Sequence, residues 1–537
     1  MKRLKKVLFV ILMSTILKNI SCEVLYGKSF FAPRAQSTNS IRQAVGHHLL
    51  RHDHSRDSFS GTFTITPEYS QSFKSTHLAE YFFGTDQLTF SGSAIEDRTE
   101  NDILADYFGL SPEFKGCIKL KPKIKTFLLD FDLFLGLDNI RKGLYFELYT
   151  PVVTTRWSIC SKEEILSSGI ESPFPENYMD EQSITAPVTC IKKALAGEIS
   201  FGDVTEGIKC GKIGCPDRET KIADVTLVLG YLFINRENGY VGVNIRTTAP
   251  TGTRPNSNYL FEPIAGNGRH WELGFGFTGQ VMIWEKSGDQ SLALHFDTNF
   301  THLFKAKQCR SFDFCQNGFG SRYILLKEFD EAGTYTGTTV PAINKTTLRC
   351  NVRIDFQADI NIMFVYNNKN WEFDFGYNGW IRSRERICLL DSIEHYRFGL
   401  KGIQNVTITA EEPGGNNSGE YKNMHNSNKE PINTTQNCST IYGNQFEDQE
   451  EVVDPTPPVF ISNNDLDISS AESPRALTHK LYAHLSYAWK KENRRLTPYF
   501  GGGWQIEFES VKPRCAQPYK NTLSQWSLWL KGGFAFS

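Results

Sequence analysis

The sequence lacks any excess of basic charge: its 537 residues include 58 Lys and Arg against 60 Asp and Glu, a formal net charge of −2. Proteins that bind nucleic acid carry a strong basic excess, so the composition excludes that class of partner. Gly-rich phosphate loops, dinucleotide fingerprints and other cofactor motifs are also missing, and we expect neither a cofactor nor a bound metal. Beyond residue 22 no apolar run reaches about 18 residues, which excludes helical membrane spans.

Residues 1–22 have the pattern of a signal peptide. Basic residues at the start of the chain precede an apolar core, residues 7–17, that is too short to cross a bilayer. Asn19 lies three positions before Cys22, where a lipoprotein signal has Leu, and this argues against lipidation of Cys22. The sequence therefore predicts an exported protein.

Aromatic residues make up 13% of the chain, with 39 Phe, although the mean hydropathy is only −0.36. Apolar and polar residues alternate with a period of two, for example over 352–366 and 371–381. Successive side chains of a strand face opposite sides, so each such segment predicts a strand with one apolar and one polar face. A soluble β-sandwich has the same alternation, and the lengths of the connections distinguish the two architectures.

Short and long connections between the predicted strands follow each other in strict alternation. The short ones lie at 138–142, 235–238, 286–289, 367–370 and 491–494, and the long ones at 94–116, 159–219, 250–269, 307–347, 387–476 and 511–522. Membrane-spanning up-and-down β-barrels have this arrangement, with short turns on one side and long loops on the other. The count is about 12 antiparallel strands, or about 14 if 62–73 and 396–408 are included.

Eleven cysteines follow the signal peptide, and all of them lie in or beside the long connections. An exported protein folds in an oxidising compartment, so we expect disulfides that staple the long outer loops. The odd number leaves one thiol free or paired with another chain. The candidates are Cys117, Cys160, Cys190, Cys210, Cys215, Cys309, Cys315, Cys350, Cys388, Cys438 and Cys515.

The last segment of the chain is an amphipathic strand with aromatic residues near its end, among them Trp526, Phe534 and Phe536. It resembles the C-terminal assembly signal of Gram-negative outer-membrane proteins, and residues 81–537 resemble porin-like barrels as a class. In that family the last residue is usually the aromatic one, whereas here Ser537 follows Phe536. The resemblance implies location in the outer membrane of a Gram-negative bacterium, contact with its lipid and insertion by the barrel-assembly machinery.

The predicted organisation has three parts. Residues 1–22 are the signal peptide, and residues 23–78 are an N-terminal segment with a short helix over 37–51, either periplasmic or a plug. Residues 79–537 are the all-β transmembrane barrel, with a flexible acidic loop at 411–475.

Charged residues on the polar faces of the strands predict the lining of the lumen. Acids outnumber bases there, and carboxylates lower the energy of cations in a narrow aqueous pore. We therefore expect a pore for passive diffusion of small solutes with a mild preference for cations. The predicted lining residues are Asp224, Arg246, Glu272, Asp297, Arg353, Asp355, Asp359, Glu372, Asp374, Arg382, Lys480, Glu507 and Lys531.

Two other functions fit the sequence. A surface adhesin or structural envelope protein would act through cysteine-linked loops, as a homo-oligomer or through intermolecular disulfides. An outer-membrane hydrolase would need a nucleophile and a base, for which His295 with Asp297 and His484 with Ser486 are the candidates. No nucleophile elbow accompanies them, so we expect no catalytic residues and no enzyme.

Overall fold

The computed structural model describes most of the chain between residues 27 and 536. The described ranges are 27–46, 59–169, 188–197, 199–216, 218–286, 290–401, 407–408, 422–423, 435, 439–444, 458–490, 496–509 and 523–536. The predicted signal peptide, Cys438, Cys515 and the side chain of Cys160 lie outside the described residues, as does most of the predicted acidic loop.

Twelve long strands form a closed barrel, as the alternation of connection lengths predicts. Each strand pairs antiparallel with its neighbours in the chain, and the last strand pairs with the first. The strands are β1 Ser60–Ser72, β2 Lys115–Gly136, β3 Leu144–Ser167, β4 Val225–Arg236, β5 Gly239–Ala249, β6 Glu272–Lys286, β7 Gln290–Ser311, β8 Thr347–Asn368, β9 Trp371–Arg382, β10 Ala476–Ala488, β11 Leu496–Glu509 and β12 Gln525–Phe536.

The barrel begins earlier than the predicted boundary at residue 79. Strand β1 pairs with β2 from Ser60 and with β12 from Gly61, and it closes the ring. The region around Tyr81 is instead the helix Ser75–Phe83, which ends at Gly84 in the left-handed conformation. Its aromatic residues are buried on one side, as a helical packing face requires. The alternative count of 14 strands is wrong, because Phe398–Leu400 belongs to a small sheet outside the barrel.

All the short connections lie at one end of the barrel and all the long ones at the other. The long connections contain four short helices and several short strands, and a fifth helix precedes the barrel. The helices are α1 Ser40–Ala44, which precedes the barrel, α2 Ser75–Phe83, α3 Ile191–Ala196, α4 Ile343–Thr346 and α5 Ile468–Ala471. The short strands are Gln87–Ser91, Ile103–Leu104, Glu219–Ile222, Asp313–Phe314, Leu325–Phe329, Tyr335–Pro341, Glu385–Leu389, Phe398–Leu400, Thr407–Ile408, Lys422–Asn423, Ser439–Thr440, Gly443–Asn444 and Leu466–Asp467. Among the described residues no helix has the length and hydropathy to cross a bilayer.

The outer surface of the barrel carries a continuous band of exposed apolar side chains, here called the apolar belt. Aromatic residues mark both of its edges, with Trp271 and Phe304 toward the long loops and Trp371 and Trp489 toward the short turns. Between these edges the belt contains Phe127, Leu227, Leu229, Val243, Ile245, Leu273, Phe275, Phe277, Ile362, Phe364, Phe373, Phe375, Leu481, Leu485, Trp504, Leu528 and Leu530.

Above the belt, which means toward the long loops, the apolar and polar faces of the strands change sides. The apolar face there points into the barrel and the polar face points outward. On β2 the outward residues below this level are apolar, beginning with Phe127, whereas above it they are mostly lysines. The inward residues show the reverse, because Asp130 and Asp132 lie inside below and Ile118 and Leu120 lie inside above. The upper part of the barrel is thus filled with apolar side chains.

These apolar residues join the long connections in a hydrophobic core, here called the outer cap. Phe31 contacts Tyr81, Phe82 and Trp157, and Phe261 packs against Trp157 with ring centroids 4.9 Å apart. Described parts of the predicted flexible loop also belong to it, since Ile441, Ile461, Leu466 and Ala471 are buried there. The outer cap is therefore a folded layer over one end of the barrel.

The predicted disulfide staples are not supported. Eight of the candidate cysteines have free thiols: Cys117, Cys190, Cys210, Cys215, Cys309, Cys315, Cys350 and Cys388. Geometry explains why one neighbouring pair forms no disulfide. Cys350 faces the barrel interior and is buried, whereas Cys388, beside it in the sheet, is exposed on the outside. Side chains that point to opposite faces cannot form a disulfide without backbone movement.

Candidate functional site

Residues 27–46, here called the lumen segment, lie inside the barrel. At its upper end, the backbone N–H of Ser29 donates to the carbonyl of Ser470 at 2.9 Å, and Arg322 donates to the carbonyl of Gly27 at 2.7 Å. At its lower end, the N–H of Gly46 donates to Oδ2 of Asp374 on β9 at 2.8 Å. The segment therefore runs from the outer cap down into the part of the barrel surrounded by the apolar belt.

Arg34 fixes the upper part of the lumen segment to the barrel wall. Its Nη2 lies 2.7 Å from Oδ2 of Asp359 on β8, and its Nη1 donates to Oδ1 of Asn378 on β9 at 2.7 Å. Its Nε donates to the carbonyl of Thr38 at 2.6 Å. Both charged side chains are about 4% exposed, so the ion pair is shielded from water.

Arg42 joins the segment to the first two strands. Its Nη1 lies 2.9 Å from Oε2 of Glu68 on β1, and its Nε lies 2.9 Å from Oδ2 of Asp130 on β2. Lys531 on β12 donates from Nζ to the carbonyls of Arg42 and Val45, both at 2.6 Å. One turn of chain thus contacts the three strands on either side of the seam where the barrel closes.

Helix α1 packs its apolar side on an apolar patch of the inner wall. The side chain of Asn39 caps the helix by accepting from the N–H of Ile41 at 3.3 Å. Ile41, Ala44 and Val45 then pack against a cluster of four wall residues, Met363, Val365, Tyr482 and Trp529. Gly46 follows with φ of +78°, and a Cβ there would lie 2.8 Å from the His484 ring, so only glycine fits.

The structure buries nine of the thirteen residues predicted to line the lumen. These are Asp224, Glu272, Asp359, Glu372, Asp374, Arg382, Lys480, Glu507 and Lys531. Arg246 and Asp297 are half-buried. Several contact the lumen segment directly, since Ser37 donates to Asp224 at 2.9 Å and Arg382 donates to the carbonyl of Ala32 at 3.1 Å. The lumen is therefore occupied by a polar network rather than by open water alone.

Arg353 and Asp355 were predicted on the wrong face. They lie on the outer surface, where Nε of Arg353 is 3.5 Å from Oδ1 of Asp355 and Nη2 of Arg386 is 2.9 Å from its Oδ2. The β7–β8 register shifts near Leu303, and above the shift Val352 and Ile354 point inward into the outer cap. The sequence alternates throughout, but the apolar face changes sides at this level.

Arg34, Arg42 and Glu68 belong to this buried network, and the sequence did not reveal them. The two arginines lie in a segment without strand periodicity, and their partners are far away in the chain. A signal for them exists in the excess of predicted inward acids over bases, because buried carboxylates require partners. Arg34 and Arg42 in the N-terminal segment were available to supply those partners.

The candidate hydrolase residues lie inside the barrel beside the lumen segment. Nδ1 of His484 is 3.3 Å from Oδ2 of Asp374, the same oxygen that accepts from Gly46, and neither side chain is exposed. The His484 ring stacks on Trp529 with an interplanar angle of 10°. Ser486 and His295 are also buried.

Internal cavities flank the lumen segment on different sides. One lies between the segment and strands β3–β8, and its lining includes Tyr149, Arg246 and Glu272. Another lies toward β1 and β10–β12, and Glu68 and Lys480 line it. Polar lining on both sides provides places for a few ordered waters beside the segment.

The outer cap buries ionisable groups of its own. Burial raises the pKa of Asp106 to about 6, although Ser93 donates to this carboxylate, and burial raises the pKa of Glu262 to about 7. Burial also lowers the pKa of Lys401 to about 8, partly offset by Asp203, whose Oδ2 lies 4.0 Å from Nζ of Lys401. The packing of the cap therefore depends on pH near neutrality.

A closed β-barrel with an apolar belt, aromatic edges and a polar interior is a transmembrane barrel of the outer-membrane type. Every spanning strand pairs with a neighbour on both sides, apart from local register shifts, so the ring has no open edge, and this is the condition for contact with lipid. Barrels of this class occupy the outer membrane of Gram-negative bacteria, the location expected from the C-terminal strand.

Comparison with known proteins adds the following. A scan against models of protein families finds no match, and a search of curated proteins finds none. Among solved structures, an outer membrane channel from Pseudomonas putida F1 is 10% identical with a TM-score of 0.32, over 89% of this chain and 96% of that one. A FadL homologue from Pseudomonas aeruginosa is 7% identical with a TM-score of 0.28, over 94% and 99% of the two chains. The toluene transporter TodX from Pseudomonas putida is 7% identical with a TM-score of 0.29, over 96% and 98%. Values this low carry no argument about the solute or mechanism of this chain.

Proposed function

We propose that this protein is an outer-membrane channel for small solutes and that the lumen segment is its gate. The observation that supports the proposal is the position of residues 27–46. They fill the barrel from the outer cap down to Asp374 on β9. Solute passes when the segment moves aside. The conformation described here is the closed one.

The chemistry of the lumen favours a movable segment. A buried ion pair such as Arg42 with Glu68 loses nearly as much hydration energy as it gains in attraction, so its net stabilisation is small. When the segment leaves the lumen, water can take its place and solvate the carboxylates of the wall. Water would not enter an apolar lumen in this way. The segment is therefore held firmly in place but can be exchanged for water at a moderate cost.

The charges on the two sides define the selectivity that we propose. The segment brings Arg34 and Arg42 against three wall carboxylates, Asp359, Glu68 and Asp130. Displacing it exposes these acids to the pore, in addition to the predicted acidic lining. An open pore with exposed carboxylates favours cations, so we retain mild cation preference as part of the proposal.

Planar-bilayer recording of the full chain tests this function. We expect rare, short openings for the native chain and long-lived openings for the double variant Arg34→Gln/Arg42→Gln, with a reversal potential that favours cations. Lys28→Gln is the matched control, because Lys28 lies in the same segment but donates to the Ser469 carbonyl at the exposed cap. A chain lacking residues 27–46 provides a second test of an open pore.

Heat-modifiable migration on a gel establishes that each variant is a folded barrel. If the double variant and the truncated chain both keep this shift and neither conducts, the gate proposal is wrong. A reversal potential favouring anions would overturn the selectivity alone.

A structural role in the envelope is the second candidate. Cys215, Cys315 and Cys388 are exposed free thiols at the long-loop end, so they are available to form disulfides between chains. Non-reducing gels of intact cells should then show cross-linked species that disappear when these three residues are changed to Ser. Monomers alone would exclude this role.

A further inference from the structure

The outward face of β2 carries a row of lysines above the apolar belt. Lys119, Lys121, Lys123 and Lys125 occupy every second position, and all except the half-buried Lys123 are exposed. Phe127 follows two residues after Lys125 on the same face and is 51% exposed. At about 3.3 Å per residue, the first lysine stands roughly 7 Å along the strand from the edge of the belt.

The neighbouring strand extends this row with further positive charge. Arg156 on β3 is paired in register with Lys125, and Lys162 is paired with Lys119. Both are exposed. Like charges directly opposite each other on neighbouring strands destabilise a sheet. These six residues, here called the basic ladder, therefore form an unfavourable arrangement unless an anion binds there.

Carboxylates do not neutralise most of the basic ladder. Lys119 lies 3.8 Å from Asp86, but within the described part of the chain Lys121, Lys123, Lys125 and Arg156 form no ion pair.

The other side of the barrel differs at a similar level. There Arg349 lies 2.8 Å from Asp391, and Arg353 and Arg386 share Asp355. Exposed arginines on β8 are thus compensated within the protein, and the basic ladder is not.

We propose that the basic ladder binds the phosphate groups of anionic glycolipid headgroups in the outer leaflet. The inference rests on the membrane placement given by the apolar belt, and it holds whether or not the channel opens. Lysine and arginine stems lie along apolar surface while their charged ends reach the headgroup level, which suits positions immediately above the belt. The bound lipid would fix the height and orientation of β2 and β3 in the bilayer.

Lipid binding by the full-length protein in detergent tests the proposal, with diphosphorylated lipid A as the probe and native mass spectrometry as the readout. The variant Lys125→Thr/Arg156→Thr removes the two charges nearest the belt and keeps residues with high strand propensity. We expect about 30-fold weaker binding of lipid A, since each basic residue near an anionic surface contributes about a factor of five. Lipid A without phosphates should bind the native protein and the variant equally weakly.

The matched control is Arg236→Thr/Lys286→Thr, which removes the same two residue types from exposed positions at the short-turn end. It should bind lipid A as the native protein does. Inorganic phosphate at millimolar concentration should not displace the lipid, which separates a headgroup site from a site for the free ion.

Equal affinity of the ladder variant and the control for lipid A would overturn the proposal, and so would full displacement by inorganic phosphate. Heat-modifiable migration is measured on the same samples. Its loss in the native protein would reject the barrel and channel instead, so the two failures are distinguishable.

Discussion

The two halves of the barrel wall follow opposite rules although the same strands build both. Around the apolar belt, the outside is apolar and the inside holds ion pairs such as Arg42 with Asp130. Toward the long loops, the outside carries charges and the inside holds the aromatic core around Trp157. The half around the apolar belt is therefore suited to contact with lipid, and the half toward the long loops is suited to contact with water.

The two halves of the barrel are therefore stabilised in different ways. The outer cap is held by the removal of large apolar surfaces from water, as in a soluble domain. The belt region is held by the closed ring of backbone hydrogen bonds, while its polar interior adds little net energy. Substitutions of one type should therefore have different effects in the two halves, and the following predictions are ordered by expected size.

Trp157→Ala should have the largest effect. Trp157 is 1% exposed and packs on Phe31 and Phe261, so its loss leaves a cavity that costs about 3–5 kcal/mol. Proteolysis of the long loops should become faster while the barrel keeps its heat-modifiable migration. Trp504→Ala, at a lipid-facing position, is the control and should leave loop proteolysis unchanged. Equal proteolysis in both variants would contradict a separate hydrophobic cap.

Arg42→Met should release the lumen segment without unfolding the barrel. It leaves Glu68 and Asp130 buried without their cation, a loss of about 3 kcal/mol that water entry into the lumen relieves. Amide hydrogen exchange of residues 40–46 should rise several-fold relative to the strands. Unchanged exchange in this segment would show that Arg42 does not hold it.

Ile362→Arg and Asn351→Arg compare the same change at two heights of β8. Ile362 faces lipid within the belt, so arginine there should cost about 2–4 kcal/mol. Asn351 faces outward above the belt, and the change there should stay within about 0.5 kcal/mol. Urea unfolding in lipid vesicles measures both. Similar losses of stability at the two positions would show that the membrane boundary does not lie between them.

The outer cap should lose stability as pH rises from about 4.5 to 7. Burial raises the pKa of Glu262 to about 7 in the folded chain, against 4.5 as its ordinary value. Between these values the folded state keeps a proton that the unfolded state has lost, so raising the pH favours unfolding by roughly 1–3 kcal/mol. Loop proteolysis followed against pH should show this trend. The trend should flatten in Glu262→Gln, and a slope unaltered by this substitution would assign the effect to another group.

The barrel could be predicted from the sequence because its signals are local. Period-two alternation and the succession of short and long connections gave the strand number, and the C-terminal strand gave the class. The first strand entered only the alternative count of 14, because its inward positions Thr62, Thr64 and Thr66 carry no charge and Pro67 interrupts the pattern.

The lumen segment and the reversed face of Arg353 could not be predicted from a single sequence. Arg34 meets Asp359 across 325 positions of chain, and such a contact leaves no local periodicity. The position of Arg353 depends on whether water or lipid surrounds that height of β8, which alternation alone does not record. Both errors concern the environment of a residue and not its secondary structure.

The position of Arg42 at the seam has a consequence for the order of assembly. A ring that closes before its interior is filled must have a chain end threaded through it, whereas a ring that closes around a docked segment needs no threading. Arg42 contacts β1 and β2 through its guanidinium and β12 through its carbonyl oxygen. Arg42, one of the residues that fill the lumen, thus also brings the first and last strands within reach of each other.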